Sequence, residues 1–242
     1  MEKTRKFLLK TERILLKVFA RFMLEFNVQY ESPLQNGAKI FTPNHPTTTD
    51  PFLLCLVTQE PLVILVNKRV LMLPLIGRII ERAGTIAVDK EGGNGQEIIR
   101  RSIHILHDGF PIGIFPEGCL SPQTDKLADL HTGAVRIALS SHTPIVPVGI
   151  YLHDQDVKYH QFRSHFGLSE SRWVLHGKYF ITVGSPLEIY GDVEDREFVR
   201  SYTQIIASEI ERLMEISKTR AYQKEISWKP IIPFIKPLPN DM

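Results

Sequence analysis

Short apolar segments of the kind that form buried strands alternate with helical segments along most of this chain of 242 residues. The predicted strands are 39–42, 62–66, 84–88, 111–115, 145–151 and 180–184. The predicted helices are 51–57, 96–108, 133–140 and 194–218. Strands that alternate with helices form parallel sheets. We therefore predict an α/β fold whose central sheet is largely parallel and is flanked by helices.

The predicted domain organisation has three parts. Residues 1–32 form an amphipathic helical segment, in which 3–27 is one helix or a helix pair with a bend. Residues 33–222 form the α/β domain, and residues 223–242 form a proline-rich arm. Proline excludes a regular helix from this arm. We expect the arm to pack over the core, and an interfacial anchor is the alternative.

Charge is distributed unevenly along the chain. The formal net charge is +2, but residues 3–21 carry seven basic side chains and one acidic side chain, so the remainder is acidic. The main body therefore lacks the basic surface that nucleic-acid binding requires. The two cysteines are too few for a disulfide framework and favour a reducing compartment.

The N-terminal segment combines a basic stripe with a broad leucine and phenylalanine face. The stripe follows helical spacing and consists of Lys6, Lys10, Arg13, Lys17 and Arg21. This pattern is typical of a helix lying on an anionic membrane surface, and a helix packed on the core is the alternative. No uncharged apolar run is long enough to span a bilayer. We expect a peripheral or monotopic membrane protein on the cytoplasmic face.

A histidine and an aspartate lie close together in a polar turn after the first predicted strand of the α/β domain. His45 and Asp50 are five residues apart, and Pro46 and Pro51 favour a turn there. Such a turn can fold the imidazole onto the carboxylate. A histidine that is oriented by a carboxylate is a frequent general base. The alternative is that Asp50 only caps the following helix.

A second polar loop follows another predicted strand and contains Phe115, Pro116, Glu117 and Gly118. Ligands of α/β folds bind outside the carboxyl ends of the strands. Both polar loops follow such ends. The sequence therefore predicts that His45 and Glu117 converge at one edge of the sheet.

Four blocks in order resemble the glycerolipid acyltransferase superfamily. That family carries N-H-x-x-x-x-D, G-x-I-x-x-D-R, F-P-E-G-T-R-S and V-P-V. The corresponding blocks here are 44–50 with Asn44, His45 and Asp50, 84–90 with Gly84 and Lys90, 115–121, and 146–148 around Pro147. Lys68 and 133–134 also look like the family. The resemblance covers about residues 36 to 190.

The resemblance implies an acyltransferase that uses acyl-CoA or an acylated acyl carrier protein as donor and a lysolipid as acceptor. His45 would be the general base and Asp50 would orient it. Glu117, Gly118, Lys90, Lys68, Gly84 and Pro147 would bind substrate or shape the pocket. No metal or redox cofactor is implied.

Two positions depart from the family pattern. The arginines of its second and third blocks, which are associated with the acceptor phosphate, are Lys90 and Leu120 here. Lysine keeps the charge but lacks the bidentate geometry of arginine, and leucine lacks both. We therefore favour a lysophospholipid or another hydroxyl lipid. A glycerol-phosphate-type lipid is the alternative, because Lys68, Lys90, Arg82 and His131 could still supply positive charge.

Three alternatives concern the chemistry. Cys119 occupies a threonine position of the family, where we favour a space-filling role over an acyl-enzyme nucleophile. A hydrolase of acyl esters or thioesters would need a nucleophile, and no Gly-x-Ser-x-Gly motif is present. A non-catalytic lipid-binding protein that retains the fold is the remaining alternative.

Overall fold

The structure is a computed structural model that describes residues 2–71, 85–88, 95–164 and 167–227. The helices are α1 (Glu2–Met23), α2 (Asp50–Leu54), α3 (Lys68–Leu71), α4 (Gly95–His107), α5 (Gly133–Ser141) and α6 (Arg196–Ser227). The strands are β1 (Leu24–Tyr30), β2 (Ile40–Pro43), β3 (Val63–Asn67), β4 (Ile86–Val88), β5 (Ile112–Gly113), β6 (Ile145–Leu152), β7 (Val157–Ser164), β8 (Gly167–Val174) and β9 (Gly177–Val183).

Seven strands form one sheet in the order β1-β9-β6-β2-β5-β3-β4. All neighbouring pairs are parallel except β6 and β9. The prediction of a largely parallel α/β sheet is therefore confirmed. Strand β6 lies inside the sheet, between β9 and β2, and is buried at every residue, which explains its nearly continuous apolar sequence.

Each face of the sheet carries its own layer. One core cluster joins β2, β6 and β9 to α1 through Ala20, to α2 through Leu53 and to the β7–β8 hairpin through Val174. The opposite cluster joins the sheet to α4, α5 and α6. Helix α6 lies so close to β6 that a Cβ atom on Gly149 would sit 2.2 Å from the backbone of Leu213. Only glycine permits this approach.

The sheet topology brings the two polar loops together. Strands β2 and β5 are parallel neighbours, so their carboxyl ends lie at the same edge of the sheet. His45 follows β2 and Glu117 follows β5. The predicted convergence of these residues is thus a direct result of strand order.

The prediction of helix as far as residue 27 is wrong for residues 24–27. These residues begin β1, which pairs in parallel with β9 from Leu24 opposite Gly177 to Tyr30 opposite Val183. The segment alternates apolar and polar side chains along LEFNVQY. That period of two favours a strand, and the helical periodicity that precedes it concealed the change.

Three further elements differ from the predictions, of which the first is the short helix α3, which was not predicted. The hairpin of β7 and β8 was not predicted, because its sequences are mostly polar, although Val157 and Val174 reach the core. Helix α6 continues past Lys218 to Ser227 and so includes residues 223–227 of the predicted arm. The rest of that arm, together with Gly84 and Lys90, lies outside the described residues.

Candidate functional site

The imidazole of His45 faces the carboxylate of Asp50 at the start of α2. The distance from His45 Nδ1 to Asp50 Oδ2 is 3.0 Å. The side chain of Asp50 is fully buried, whereas that of His45 is 17% exposed. The ring of Phe115 packs against the imidazole with 4.1 Å between ring centroids. Asp50 and Phe115 therefore fix the orientation of a histidine that still reaches solvent.

Four donors surround the Asp50 carboxylate. Oδ2 accepts from the Thr47 backbone N–H at 2.7 Å and faces His45. Oδ1 accepts from the hydroxyl groups of Thr47 and Tyr179, the latter at 2.7 Å. An ionised carboxylate only accepts hydrogen bonds, so we assign the proton of the neutral imidazole to Nδ1. The lone pair then lies on Nε2, to which the described part of the chain offers no hydrogen-bond partner.

Tyr179 is a site residue that the sequence did not reveal. It lies on β9, is completely buried, and stacks on Phe26 of β1. Burial, followed by the charge of Asp50, raises the pKa of Tyr179 well above its usual value. Its hydroxyl therefore stays protonated and continues to donate to Asp50. An isolated tyrosine in a strand gives no local signal of this contact.

Glu117 connects the two polar loops. Its Oε1 accepts from the His45 backbone N–H at 2.7 Å and from the Ser121 hydroxyl at 2.8 Å. Its Oε2 accepts from the Ala128 backbone N–H at 2.8 Å. The Ser121 N–H returns a hydrogen bond to the His45 carbonyl at 2.8 Å. Since Glu117 is only 2% exposed, its carboxylate holds the loops together from inside.

The electrostatics of Glu117 reflect two opposing effects. Burial raises the pKa of its carboxyl group, since the charged form loses hydration. Hydrogen bonds from Ala128, Ser121 and His45 lower the pKa, but burial is the larger effect. The folded protein therefore binds a proton at Glu117 more readily than the unfolded chain does.

Asn44 anchors the His45 turn to the centre of the sheet. Its Nδ2 donates to the Ile150 carbonyl at 3.0 Å and its Oδ1 accepts from the Ile150 N–H at 2.7 Å. The residue is fully buried. The adjacent residues Asn44 and His45 of the first block thus have different roles, because Asn44 fixes the backbone and His45 faces outward.

The remaining predicted binding residues lie at different depths. Gly118 adopts a positive φ of 63°, a conformation that favours glycine, and closes a turn onto Phe115. Pro147 is buried in β6 opposite Thr42 of β2, which lies three residues before His45 in the chain. Lys68 is exposed at the carboxyl end of β3, and β5 separates β3 from β2.

The two residues after Gly118 also have defined surroundings. Cys119 is exposed, and its thiol donates to the Glu117 carbonyl at 3.5 Å. Leu120 is partly buried. Within the described ranges, no group of three or more histidine, cysteine, aspartate or glutamate side chains is arranged to hold a metal ion.

Strand β8 also contacts the site. The Thr48 N–H donates to the Arg172 carbonyl at 2.7 Å, and the Val174 N–H donates to the Thr49 hydroxyl at 3.0 Å. Arg172 also reaches Ser121. The β7–β8 hairpin therefore contacts both polar loops, although no sequence pattern indicated that it belongs to the site.

Comparison with known proteins relates these loops to one family. The model of the family described as Acyltransferase matches residues 25–151, slightly more than half of the chain. The lyso-ornithine lipid O-acyltransferase of Pseudomonas aeruginosa is 31% identical over 136 residues, which cover 56% of this chain and 51% of that protein. The 1-acyl-sn-glycerol-3-phosphate acyltransferase of Borreliella burgdorferi is 28% identical over 109 residues, which cover 45% and 43%.

A solved structure has a similar fold. The 1-acyl-sn-glycerophosphate acyltransferase PlsC from Thermotoga maritima superimposes with a TM-score of 0.58 at 20% identity, covering 88% of this chain and 82% of that chain. At this identity the likeness concerns the fold. The matches to curated relatives extend over about half of their length or less.

The raised pKa of Glu117 predicts a pH-dependent contribution to stability. The change Glu117→Gln removes this titration. A raised folded-state pKa stabilises the protein fully below the unfolded value, and this stabilisation is lost as pH rises through the folded value. The free energy of urea unfolding of the wild type, relative to Glu117→Gln, should therefore increase as pH falls from about 7 to about 5.

The exposed Glu188 provides the matched control. Glu188→Gln should show a smaller pH-dependent difference from the wild type than Glu117→Gln. The free energy of unfolding of the wild type, relative to Glu117→Gln, could instead decrease on acidification. That result would contradict the prediction, because it would mean that hydrogen bonding affects the pKa of Glu117 more than burial does.

Proposed function

The chain belongs to the acyltransferase family, and we propose that it moves a fatty acyl group from an acyl thioester to the hydroxyl group of a lysolipid. The observation that carries this proposal is the 3.0 Å contact between His45 Nδ1 and Asp50, which leaves Nε2 of a partly exposed ring available to accept a proton. The donor is acyl-CoA or an acylated acyl carrier protein, whose thioesters have the same reactive group.

In the proposed mechanism, His45 acts as a general base. The acceptor oxygen attacks the thioester carbonyl while Nε2 of His45 takes the hydroxyl proton. Collapse of the tetrahedral intermediate breaks the carbon–sulfur bond, and the imidazolium returns the proton to the departing thiolate. The charge of Asp50 stabilises the imidazolium and keeps the ring oriented. No covalent enzyme intermediate is formed.

The other predicted site residues take supporting roles in this proposal. Glu117 positions the backbone of His45, because its carboxylate oxygens already accept from His45, Ser121 and Ala128. Gly118 shapes the turn beside the acceptor, and Pro147 supports the pocket from below. Lys68, at the carboxyl end of β3, takes part in substrate binding. Lys90 and Gly84 keep the substrate-binding roles that the resemblance implies.

We propose a lysophospholipid or another hydroxyl lipid as the acceptor. Leu120 brings no charge to the loop after Glu117, and Lys90 provides a single cationic centre without a bidentate fork. One relative is named for a lyso-ornithine lipid, which supports testing acceptors that lack a glycerol-phosphate headgroup.

Release of free thiol tests the proposed function. Purified protein should release thiol from an acyl thioester only when a lysolipid acceptor is present, and mass spectrometry should detect the acylated lipid. We expect His45→Ala to lower kcat by at least about 100-fold, because general base catalysis contributes about 100- to 10,000-fold.

The exposed His107 on α4 provides the matched control, and His107→Ala should retain wild-type turnover. Turnover that is unchanged in His45→Ala would overturn the mechanism. Thiol release that does not depend on an acceptor would favour the hydrolase alternative.

We further propose that α1 docks on an anionic membrane surface. None of the described helices is both long enough and apolar enough to cross a bilayer. One face of α1 is nevertheless apolar and exposed, at Ile14, Leu15, Val18 and Phe22, the last being 80% exposed. Lys17 and Arg21 are also exposed and lie beside this face.

The opposite side of α1 is occupied by contacts within the protein. Ala20 is buried, Phe19 packs on the core, and Arg13 donates to the Gln59 carbonyl at 2.7 Å. Arg13 therefore turns away from the basic stripe in which it was predicted. Since the exposed apolar face is not used for folding, lipid is the occupant that its basic flank favours.

Vesicle flotation tests this proposal. We expect the double variant Leu15→Ser, Phe22→Ser to lose at least about tenfold in binding to anionic vesicles, because each side chain contributes about 1.5–3 kcal/mol when fully buried in an apolar environment. Ile205→Ser, at an exposed residue of α6, is the matched control. Equal vesicle binding by the double variant, or dimers of the wild type formed through this face, would overturn the proposal.

A further inference from the structure

We propose that Arg172 of the β7–β8 hairpin is a positioning residue for acyl transfer, which holds the His45 turn and the Glu117 loop in register. This inference rests on the proposed function for its kinetic consequence. The hairpin lies beyond residues 25–151, which the family model matches, so the family match assigns it no role.

Backbone contacts fix the hairpin to the His45 turn. The Arg172 carbonyl accepts from the Thr48 N–H at 2.7 Å, and the Arg172 N–H donates to the Thr48 hydroxyl at 3.1 Å. The Val174 N–H donates to the Thr49 hydroxyl at 3.0 Å. Val174 is completely buried in the core that also contains Leu53 of α2. The base of the hairpin is therefore rigidly attached beside the segment that links His45 to Asp50.

The Arg172 side chain extends this attachment to the second loop. Its Nη1 donates to the Ser121 carbonyl at 2.6 Å. Ser121 in turn donates its hydroxyl to Glu117 and its N–H to the His45 carbonyl. A closed ring of contacts thus runs from Thr48 through Arg172, Ser121 and Glu117 back to His45.

The surroundings of the guanidinium group hold it in place. Its Nε donates to Glu170 at 2.6 Å, and its Cζ lies 5.7 Å from the centroid of the Tyr159 ring. The side chain is only 13% exposed. Tyr159 donates its hydroxyl to Asp154, which fixes the ring beneath the cation. The side chain is therefore restrained on several sides, as expected for a clamp.

A clamp of this kind affects the rate without contacting substrate. Displacing a catalytic group by about 1 Å can cost about 100-fold in rate. Removal of the guanidinium would loosen the Ser121 carbonyl, and Glu117 would then hold His45 less firmly. The expected kinetic signature is a lower kcat with little change in KM, because Arg172 does not contact the substrates and their binding to the enzyme is preserved.

Steady-state kinetics of Arg172 variants test the proposal. Arg172→Met should lower kcat by about 10- to 100-fold while KM for donor and acceptor changes by less than about threefold. Arg172→Lys should recover part of the loss, because one cationic donor can still reach the Ser121 carbonyl. The matched control is Lys158→Met, since Lys158 is exposed and lies on the other face of the hairpin, opposite Trp173.

Hydrogen exchange provides a second readout that does not require turnover. The backbone amides of His45 and Ser121 donate within the ring of contacts, so they should exchange at least about tenfold faster in Arg172→Met than in Lys158→Met. If the wild type transfers no acyl group, the proposed function fails. Hydrogen exchange then still tests whether Arg172 holds the two loops together. If Arg172→Met does not fold, both the kinetics and the hydrogen exchange are measured on Arg172→Lys instead.

Two results would overturn the proposal. One is unchanged kcat together with unchanged exchange of the His45 and Ser121 amides. The other is a selective increase in KM for acceptors with anionic headgroups at constant kcat, which would make Arg172 a substrate-binding residue.

Discussion

The arrangement of the site depends on the hydrogen bonds to the buried carboxylate of Asp50. It is completely buried and accepts from three hydrogen-bond donors in addition to His45. A buried charge is stable only when it is fully paired or hydrogen-bonded. The turn from 44 to 50 must therefore fold around Asp50, and this requirement also orients the imidazole. Folding and the proposed catalysis thus use the same contacts.

Glu117 plays the corresponding role between the loops. Strand order brings the ends of β2 and β5 together, but neighbouring strands alone do not determine how two loops face each other. The Glu117 carboxylate does so by accepting from both loops and from Ala128. The sequence motif suggested a substrate-binding glutamate, whereas its contacts favour positioning. The acidic side chain is needed because an amide would direct donor hydrogens at one of these N–H groups.

Local patterns predicted the parts of the fold and site that depend on local sequence. The polar loops of His45 and Glu117 follow apolar strands, so their convergence was predictable. Tyr179 was not, because it lies 129 residues from Asp50 and meets it only through sheet pairing. Arg172 was missed for a related reason, since its hairpin is polar and contacts the site through long-range hydrogen bonds. Residues 24–27 were predicted as helix because the change to a period of two follows directly after a helical segment.

The central claim is that Asp50 acts through His45, and a double-mutant cycle of acyl transfer tests it most directly. Asp50→Asn and His45→Ala are measured alone and together, with folding checked by thermal unfolding. We predict that each single change lowers kcat by at least about 100-fold and that Asp50→Asn causes little further loss in the His45→Ala background. An equal loss from Asp50→Asn in both backgrounds would contradict the account, because the two side chains would then act independently.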